Sequence, residues 1–541
     1  MQPPISRTFP ELLRELAATE PERCAVIDGD VPVTYAGLAQ RARLITNALR
    51  AAGVQRGERI GVLLSNRIEW LEIFLGASAA GAVVVPISTW SKPAELAFIL
   101  GDAHISALFA MPSSGKEDFF AALQTLVPEA FEHNKWASAG LPHLRQLIAV
   151  APNAPGPGWR TYEAFCAAAP DAAPDAAPGE GPNPADDALI LYTSGSTSKP
   201  KAVRLAHGAV IENGFNIGER MGLGRDDRVF VSAPLFWAYG SANALPAAMS
   251  HGAAIILQER FEPGEALALI EQHRCTAIYT LPTMTAALVA HPDFATARTA
   301  SLRTGLTIGS PQDVIAAATQ LGAAHICNIY GSSETCGNCC VTPWDWPLER
   351  RAACQGPPLP GVSLRFIDAE TGVEADTGQP GLIEVTGYLM SGYGGQSIAH
   401  NVAAFTADGW YRTGDLGQLT DTGDLIFLGR ATEMIKRAGI NVSPAEVEDV
   451  LLQHTAVAQA AVVGAPDPAR GEIIVAFVVA AQPATEAELI AHARGLSSTY
   501  KVPDRIVFRN DLPATSTGKL QRQPLKAEAA ALTAKDRTHV A

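Results

Sequence analysis

The segment at positions 192–201 carries side chains suited to binding a polyphosphate. It consists of Tyr-Thr-Ser-Gly-Ser-Thr-Ser-Lys-Pro-Lys and directly follows an apolar stretch, 188–192, that we predict to be a buried strand. Hydroxyl groups and lysines can donate hydrogen bonds to phosphate oxygens, and glycine allows the backbone to approach them closely. The segment lacks the G-x-x-x-x-G-K-S/T spacing of the P-loop. Taken alone, it is equally compatible with a Ser/Thr-rich surface turn.

Four further segments place functional groups in short turns. They are Asn-Ile-Tyr-Gly-Ser-Ser-Glu-Thr at 328–335, Gly-Trp-Tyr-Arg-Thr-Gly-Asp at 409–415, Gly-Arg-Ala-Thr-Glu-Met-Ile-Lys-Arg-Ala-Gly at 429–439, and Pro-Ala-Thr-Ser-Thr-Gly-Lys-Leu-Gln-Arg at 513–522. A single charge such as Asp415 or Lys519 is more often a solvated loop residue than a catalytic group. Five such segments in this order and spacing are hard to obtain by chance.

The elements that must position these segments alternate between strand and helix patterns. Short apolar strands are predicted at 24–28, 31–34, 59–65 and 82–87, with a helix at 70–80. Thr34 is placed to cap another helix, which Gly53 ends and whose apolar face is Leu38, Ala42, Ile45 and Leu49. This alternation predicts βαβ units, a parallel doubly wound sheet and an α/β fold class.

The domain boundary is predicted near Arg430, after an apolar strand at 425–428. A prior of about 150 residues per domain suggests three or four units, whereas the patterns favour a large domain at 1–429 and a small α+β domain at 430–541. The second domain is predicted to contain a helix at 444–452, strands at 457–463 and 473–480, and a helix at 485–494. The Pro/Ala-rich stretch 151–187 is interpreted as a surface loop within the large domain.

Composition excludes several classes of protein. The chain has 541 residues, is 47% hydrophobic and carries a formal net charge of −14, so it is neither disordered nor suited to wrapping nucleic acid. Its apolar runs are too short to span a bilayer. Neither a secretory signal at the N-terminus nor a peroxisomal address in the final Thr-His-Val-Ala is recognisable, and we expect a cytoplasmic protein. The eight cysteines show no disulfide framework and are expected to be reduced thiols.

Together, the five segments resemble those of the adenylate-forming superfamily, which includes acyl-CoA synthetases, peptide-synthetase adenylation domains and beetle luciferases. The resemblance extends from about Thr8 to Leu525. It implies a large N-terminal domain of doubly wound αβ subdomains and a small mobile C-terminal domain. It also implies a ligase that uses ATP and Mg²⁺ to convert a carboxylate into an acyl-adenylate, releasing pyrophosphate, and then passes the acyl group to a nucleophile.

The resemblance assigns roles residue by residue. Lys519 would bridge the substrate carboxylate and the α-phosphate, while Glu334 and Thr197 would bind Mg²⁺. Asp415 would accept hydrogen bonds from the ribose hydroxyls, helped by Arg430. The remaining nucleotide-binding candidates are Thr193, Ser194, Gly195, Ser196 and Lys201 for the phosphates, Tyr330 and Asn328 for adenine, and Gly331 and Ser333 beside them.

Four residues depart from the family pattern. Ser198 stands where the phosphate loop usually has Gly, and Thr432 stands at a hinge position usually held by Asp or Lys. Ser310 replaces a small apolar residue in the turn 307–311. Trp237 occupies a position at which many acyl-CoA ligases have His.

Trp237 also bears on the substrate. Amino-acid adenylation domains place an Asp there to pair with the substrate ammonium, and an ammonium buried without a partner would cost several kcal/mol. An α-amino acid is therefore disfavoured as the activated acid. A pocket for an apolar aryl, alicyclic or medium-chain acid is predicted from six residues: Phe236, Trp237, Tyr239, Gly240, Gly309 and Ser310.

Coenzyme A is the first choice of acceptor, which makes the chain an acid:CoA ligase. After adenylation, the C-terminal domain would rotate about Thr432 and bring Lys436 and Gly439 to the pantetheine tunnel. An amide-forming ligase of the coronafacoyl type, which joins the adenylate to an amino acid or amine, is the main alternative. A silent nucleotide-binding protein and a luciferase-like oxygenase are remote ones. A homodimer is also left open.

Overall fold

The helix predicted after Thr34 shows how local sequence builds the first elements of the chain. In the computed structural model this helix is Tyr35–Ala51, and the Thr34 side chain accepts a hydrogen bond from the Gly37 N–H at 3.1 Å. Its buried face includes all four predicted residues, Leu38, Ala42, Ile45 and Leu49. The chain leaves the helix at Gly53, whose φ of +78° is open to glycine but strained for other residues. The predicted cap, face and stop are confirmed.

The structure describes residues 3–168, 181–193, 200–437, 440–467, 470–497, 499–514 and 520–538. The chain divides into two compact units. The first consists of residues 1–309, 313–363 and 385–411, and the second of residues 310–312, 364–384 and 412–541.

The first unit contains two eight-stranded sheets with mainly parallel centres. The strands of one sheet, in spatial order, are Cys340–Val341, His325–Tyr330, Thr304–Thr307, Ala277–Tyr279, Arg228–Val231, Ala254–Leu257, Cys24–Asp28 and Val31–Thr34. Those of the other are Gly392–Gly394, Lys201–Ala206, Asp187–Thr193, Val83–Pro86, Arg59–Leu63, Ile105–Ala110, Gln146–Ala149 and Trp159–Thr161. A short hairpin joins Ser113–Ser114 to Glu117–Asp118. The predicted α/β class is confirmed.

Helices connect these strands. Those before residue 411 are Phe9–Thr19, Tyr35–Ala51, Ile68–Ala79, Pro93–Asp102, Phe119–Leu126, Glu129–Glu132, Tyr162–Ala167, His207–Met221, Leu245–Ser250, Pro263–Gln272, Pro282–Ala290, Pro311–Thr319, Leu348–Ala353 and Asn401–Ala404. Tyr239–Ala244 is a π-helical turn, and Ser333–Thr335 and Gly395–His400 are 3₁₀ turns.

The Pro/Ala-rich stretch is more structured at its start than the sequence predicts. Trp159–Thr161 adds a parallel strand to the sheet edge, and Tyr162–Ala167 forms a short helix. Trp159 and Phe165 are buried, with exposed fractions of 5% and 1%. Two aromatic side chains are enough to anchor this part of the segment, so the interpretation of the whole stretch as a surface loop is wrong for residues 159–167.

The described residues of the second unit contribute to two further sheets. One consists of Ser363–Ile367, Gly381–Thr386, Tyr411–Leu419 and Leu425–Arg430. The other consists of Ile440–Val442, Ile435–Arg437, Gly471–Ala480 and Val457–Asp467, with Arg505–Arg509 parallel to Gly471–Ala480. The helices are Pro444–Leu452, Glu486–Leu496 and Arg522–Thr538, with 3₁₀ turns at Ala431–Glu433 and Thr499–Lys501.

The main segment of the second compact unit begins at Arg412, earlier in the chain than the domain boundary predicted between residues 429 and 430. The strand Leu425–Arg430 pairs with Tyr411–Leu419, so cutting the chain at 429 would divide a strand. The functional boundary itself stays a prediction.

The core of the second unit lies on both faces of its larger sheet. Val462 packs with Leu451 and Leu489 on one face, whereas its neighbours Ala461 and Val463 pack with Leu525 and other residues on the opposite face. This alternation follows from the two-residue period of a strand. Helices therefore cover both faces of this sheet.

The cysteines are free thiols, and none forms a disulfide. Burial raises the pKa of the Cys275, Cys327 and Cys336 thiols to about 12, so they remain protonated at neutral pH.

Throughout the residues that the structure describes, no helix is long and apolar enough to cross a lipid bilayer.

We expect Gly76→Ala to destabilise the first unit by about 1–3 kcal/mol, because a Cβ at this position would lie 2.6 Å from the Ala42 carbonyl oxygen and the Ile45 Cβ. The helices Tyr35–Ala51 and Ile68–Ala79 would have to separate. The measurement is the denaturant midpoint. Gly101→Ala is the matched control, since its nearest non-local atom is an ordinary 3.8 Å away, and an equal loss in both variants would contradict this account of helix packing.

Candidate active site

The predicted polyphosphate segment joins two adjacent antiparallel strands. Thr193 is the last residue of Asp187–Thr193 and lies directly opposite Lys201, the first residue of Lys201–Ala206. The structure therefore brings these two candidates together at one end of a hairpin. Ser194, Gly195, Ser196, Thr197 and Ser198 lie outside the described residues.

Asp102 anchors the beginning of this segment. The Tyr192 hydroxyl donates to Asp102 Oδ2 at 2.7 Å, and the Gln396 N–H donates to Asp102 Oδ1 at 2.8 Å. Burial and the Asp102 carboxylate both raise the pKa of Tyr192, so the hydroxyl stays a neutral donor. This contact could not be predicted from local sequence patterns, because Asp102 and Tyr192 are 90 residues apart.

Glu334 lies in a tight 3₁₀ turn, Ser333–Thr335, after the end of the strand His325–Tyr330. The turn is held by the Ser332 N–H, which donates to Thr335 Oγ1 at 2.9 Å. Gly331 lets the chain before the turn lie close to the chain after it, since a Cβ on residue 331 would lie 2.3 Å from the Gly337 carbonyl oxygen. The predicted Gly331 and Ser333 thus belong to the backbone that presents Glu334.

Tyr393 contacts both charged candidates of the first unit and was not predicted. Its hydroxyl donates to Glu334 Oε1 at 2.9 Å, and Lys201 Nζ lies 5.2 Å from the centre of its ring. A lysine at this distance from an aromatic ring is held by a cation–π interaction. The structure therefore groups Lys201 and Glu334 around one tyrosine, while Thr193 lies opposite Lys201 on the neighbouring strand.

Asn328 and Tyr330 occupy the strand that leads to this turn. Asn328 is 1% exposed; its Nδ2 donates to the Cys354 carbonyl at 3.1 Å and its Oδ1 accepts from the Ile329 N–H at 3.0 Å. These contacts give its amide a structural role, and its predicted contact with adenine stays a prediction. Tyr330 is 8% exposed at the end of the strand.

Two residues of the predicted acid pocket contact a further large aromatic residue that was not predicted. Trp90 makes edge-to-face contacts with Phe236 and Trp237, with ring centres 5.2 and 4.9 Å apart, and the rings of Phe236 and Trp237 are 5.9 Å apart. Phe236 is buried, whereas Trp90 and Trp237 are half-buried. Trp90 was missed because nothing in the local pattern connects it with residues almost 150 positions away.

Tyr239 and Gly240 begin the π-helical turn Tyr239–Ala244. The Tyr239 hydroxyl lies 3.1 Å from the Thr280 carbonyl oxygen and 2.9 Å from that of Leu306. Burial raises the pKa of this hydroxyl well above its usual range. Position 240 requires glycine, because a Cβ there would lie 2.4 Å from the Pro234 carbonyl oxygen.

Gly309 and Ser310 follow the strand Thr304–Thr307 and precede the helix Pro311–Thr319. A Cβ on Gly309 would lie 2.5 Å from Asp313 Oδ2. This glycine therefore accommodates the carboxylate of the helix that follows it.

In the second unit, Asp415 and Arg430 are direct cross-strand partners. Arg430 Nε lies 2.8 Å from Asp415 Oδ1. Asp415 is 6% exposed, and its N–H donates to Thr413 Oγ1 at 3.0 Å, which in turn donates to the Ile383 carbonyl at 2.8 Å. A buried carboxylate on a rigid hairpin is well suited to accept hydrogen bonds from vicinal hydroxyl groups.

The predicted hinge and acceptor residues follow this hairpin. Thr432 lies in the 3₁₀ turn Ala431–Glu433, and its carbonyl accepts from Lys526 Nζ at 3.5 Å. The Lys436 side chain is exposed, and its N–H donates to Glu472 Oε2 at 2.6 Å. Gly439 and Lys519 lie outside the described residues.

The donor set fits Mg²⁺ bound jointly by protein and substrate. Within the described ranges, no three His, Cys, Asp or Glu side chains converge on a point that could hold a metal. Mg²⁺ usually binds through one or two carboxylates together with substrate phosphates and water rather than in a cage made only of protein groups. Glu334, beside Lys201 and Thr193, provides such a carboxylate.

Comparison with known protein families identifies the class of this chain. A model of the AMP-binding enzyme family matches residues 13–394, and that of the AMP-binding enzyme C-terminal domain matches residues 446–519. The chain therefore belongs to the AMP-binding enzyme family, and the predicted superfamily is confirmed.

Known proteins of this kind resemble the chain over almost its whole length. An indoleacetate–CoA ligase of Aromatoleum aromaticum is 33% identical over 94% of this chain and 96% of its own. The mitochondrial medium-chain acyl-CoA ligase ACSF2 of Mus musculus is 28% identical over 96% of this chain and 87% of its own. The crystal structure of the anthranilate CoA ligase AuaEII with anthranoyl-AMP matches with a TM-score of 0.85 and 26% identity, covering 98% of this chain and 99% of that one.

We expect Asp415→Asn to lower kcat/KM for ATP by about ten- to hundredfold, because hydrogen bonds to a charged acceptor contribute about 1.5–3 kcal/mol each. The KM of the acid should change little, and steady-state kinetics with each substrate varied in turn separates the two effects. Asp424→Asn is a matched control, since Asp424 is also a buried carboxylate, 3% exposed, and lies in the turn that joins the same two strands. Similar losses for ATP and acid in the Asp415 variant would contradict a ribose-binding role.

Proposed function

We propose that this chain is an ATP-dependent carboxylic acid:CoA ligase that activates an apolar acid as its acyl-adenylate. The observation that carries the proposal is that Lys201 and Glu334 share one tyrosine neighbour, with Thr193 opposite Lys201, in a chain of the AMP-binding enzyme family. A cation that can bind phosphate and a carboxylate that can bind Mg²⁺ are the two groups that pyrophosphate departure requires.

The first half-reaction forms a mixed anhydride. A carboxylate oxygen of the acid attacks the α-phosphorus of ATP, a new P–O bond forms, and the bond to the β-phosphate oxygen breaks. Lys201, Thr193 and the hydroxyls of Ser194, Ser196 and Thr197 stabilise the charge on the departing pyrophosphate. Glu334, with Thr197 as a second ligand, would hold Mg²⁺, which would supply further neutralisation of this charge.

Lys519 acts on the reacting anions. The acid carboxylate and the α-phosphate repel each other as they approach, and one ammonium group placed between them stabilises the transition state more than the separated substrates. Tyr330 stacks on adenine, and Asp415 with Arg430 binds the ribose.

The second half-reaction transfers the acyl group to CoA. The thiol sulfur attacks the acyl carbon, the bond between that carbon and the AMP oxygen breaks, and the thiol proton is lost. Lys436 and Gly439 contribute to the acceptor tunnel. Thr432 is the hinge about which the C-terminal domain rotates between the two half-reactions.

The aromatic residues Trp90, Phe236 and Trp237 support an apolar acid. Their rings offer a large hydrophobic surface and no charge to pair with an ammonium group. The indoleacetate and medium-chain ligases among the relatives are consistent with aryl and medium-chain acids. The pocket is thus proposed to accept a ring or a short aliphatic chain.

The decisive experiment is ATP–pyrophosphate exchange with a panel of aryl, alicyclic and medium-chain acids. The best acid is then offered CoA, amino acids and simple amines, and the product is identified by mass. A thioester that forms with CoA supports the proposal. An amide that forms without a thioester would replace CoA by an amine as the acceptor.

We expect Lys519→Ala to reduce acid-dependent pyrophosphate release about a hundredfold or more, while ATP binding persists. Lys135→Ala is the control, since Lys135 is an exposed lysine of the first unit. Stopped-flow or exchange assays measure the rate, and calorimetry measures ATP binding. Pyrophosphate release at the wild-type rate would remove Lys519 from the mechanism.

We expect Trp237→Ala to raise kcat/KM about tenfold for acids bulkier than the best wild-type substrate, because the pocket gains the volume of an indole ring. Trp136→Ala is the control: it also removes a half-buried tryptophan, whose Nε1 donates to the Gly158 carbonyl. The acid panel measures the change. If the order of preferred acids stays the same, Trp237 does not line the pocket.

A further inference from the structure

Tyr393 is the central residue of a short strand, Gly392–Gly394, at the edge of the sheet that carries the phosphate segment. It lies opposite Val203 on the neighbouring strand, Lys201–Ala206. Pairing with the strand Lys201–Ala206 therefore fixes the register of Gly392–Gly394 and with it the position of Tyr393. Tyr393 is 3% exposed, so its side chain is directed into the protein.

The backbone of Tyr393 is held from a second side. Asn401 Oδ1 accepts the Tyr393 N–H at 2.7 Å, and Asn401 Nδ2 donates to the Tyr393 carbonyl at 3.0 Å. A side-chain amide that satisfies both backbone groups of one residue restricts its movement. The position of the phenol ring is thus determined by sheet pairing and by Asn401 together.

The hydroxyl of Tyr393 fixes the orientation of Glu334. It donates to Oε1 at 2.9 Å, whereas a carboxylate has several lone-pair sites and its other oxygen remains an acceptor. A single donor therefore orients the carboxylate without using its capacity to bind a metal. Groups of this kind, which hydrogen-bond to a metal ligand, typically contribute ten- to hundredfold to metal affinity.

The ring of Tyr393 holds Lys201 in a different way. Lys201 Nζ lies 5.2 Å from the ring centre, so the ammonium is attracted to the π face by an interaction that uses none of its N–H donors. Its positive charge and its N–H donors remain available to a phosphate. A carboxylate at the same place would hold the lysine but would also neutralise it.

We propose that Tyr393 is a positioning residue that sets the metal-binding carboxylate and the phosphate-binding lysine at a fixed separation before ATP binds. This inference rests on the proposed function, because it assigns Glu334 to Mg²⁺ and Lys201 to the phosphates. It adds a residue outside the five segments and predicts how the enzyme depends on Mg²⁺.

The test uses Tyr393→Phe in the full-length chain, which removes the hydroxyl and keeps the ring. We expect the Mg²⁺ concentration for half-maximal ATP–pyrophosphate exchange to rise about tenfold. At saturating Mg²⁺ the maximal rate and the KM of the acid should stay close to wild type. As a readout that does not depend on activity, Mn²⁺ binding to the enzyme–ATP complex, followed by electron paramagnetic resonance, should weaken by a similar factor.

Tyr388→Phe is the matched control. Tyr388 also donates a hydrogen bond to a carboxylate, Glu212 Oε2, at the same distance of 2.9 Å. Both variants lose one tyrosine–glutamate hydrogen bond in the first unit, so thermal unfolding should show comparable stability. Only the Tyr393 variant should change its response to Mg²⁺ and Mn²⁺.

A second variant, Tyr393→Leu, also removes the ring beneath Lys201. We expect it to bind ATP more weakly than Tyr393→Phe when a chelator has removed divalent cations, because Lys201 is then no longer held. If this variant does not fold, Tyr393→Phe still decides the question of the hydroxyl.

The outcomes separate this inference from the proposed function. A wild-type enzyme that catalyses no acid-dependent exchange would refute the proposed function. An active wild type, with a Tyr393→Phe variant whose Mg²⁺ and Mn²⁺ dependence matches it or matches the Tyr388 control, would refute the positioning role alone.

Discussion

The antiparallel ladder of three strands, Asp187–Thr193, Lys201–Ala206 and Gly392–Gly394, is the interaction on which the candidate site of the first unit depends. Its register sets Thr193 opposite Lys201 and Val203 opposite Tyr393. Backbone pairing is much stiffer than a surface loop, and a slip of one residue would reverse which side chains face the interior. The positions of Lys201 and of the tyrosine that hydrogen-bonds to Glu334 are therefore set by main-chain hydrogen bonds rather than by charge.

This arrangement explains how a chain with a net charge of −14 can bind an anionic nucleotide. The overall charge governs long-range encounters, which salt screens beyond about 10 Å. Binding itself is governed by groups within a few ångströms, and the proposed phosphate-binding group of the first unit is a lysine held near an aromatic ring. Because this ring is in place before any substrate is present, the lysine side chain has little conformational entropy to lose on binding.

The sequence predicted well where structure is decided locally. The Thr34 cap, the helix Pro444–Leu452 and the turn around Glu334 depend on neighbours within a few residues, and short motifs reveal them. Trp90, Asp102 and Tyr393 could not be found in this way, since their partners lie tens to hundreds of residues away and tertiary packing alone brings them together. Residues 159–167 were misjudged for a related reason, because a proline- and alanine-rich composition conceals two aromatic side chains that bury well.

The hydroxyl of Tyr239 contacts the carbonyl groups of Thr280 and Leu306 and so connects the proposed acid pocket to the central sheet. Replacing this tyrosine would remove a hydrogen-bond donor from buried carbonyl groups, of which that of Leu306 also accepts the Thr280 N–H, and losing such a donor is costly in a protein interior. Trp90 and Trp237, by contrast, are half-buried, and their rings contact each other and Phe236. In the proposed pocket, Tyr239 is thus held by the central sheet, whereas Trp90 and Trp237 are more open to substitution. Natural or laboratory evolution toward new acids is expected to change the two tryptophans and to retain Tyr239 and the fold around it.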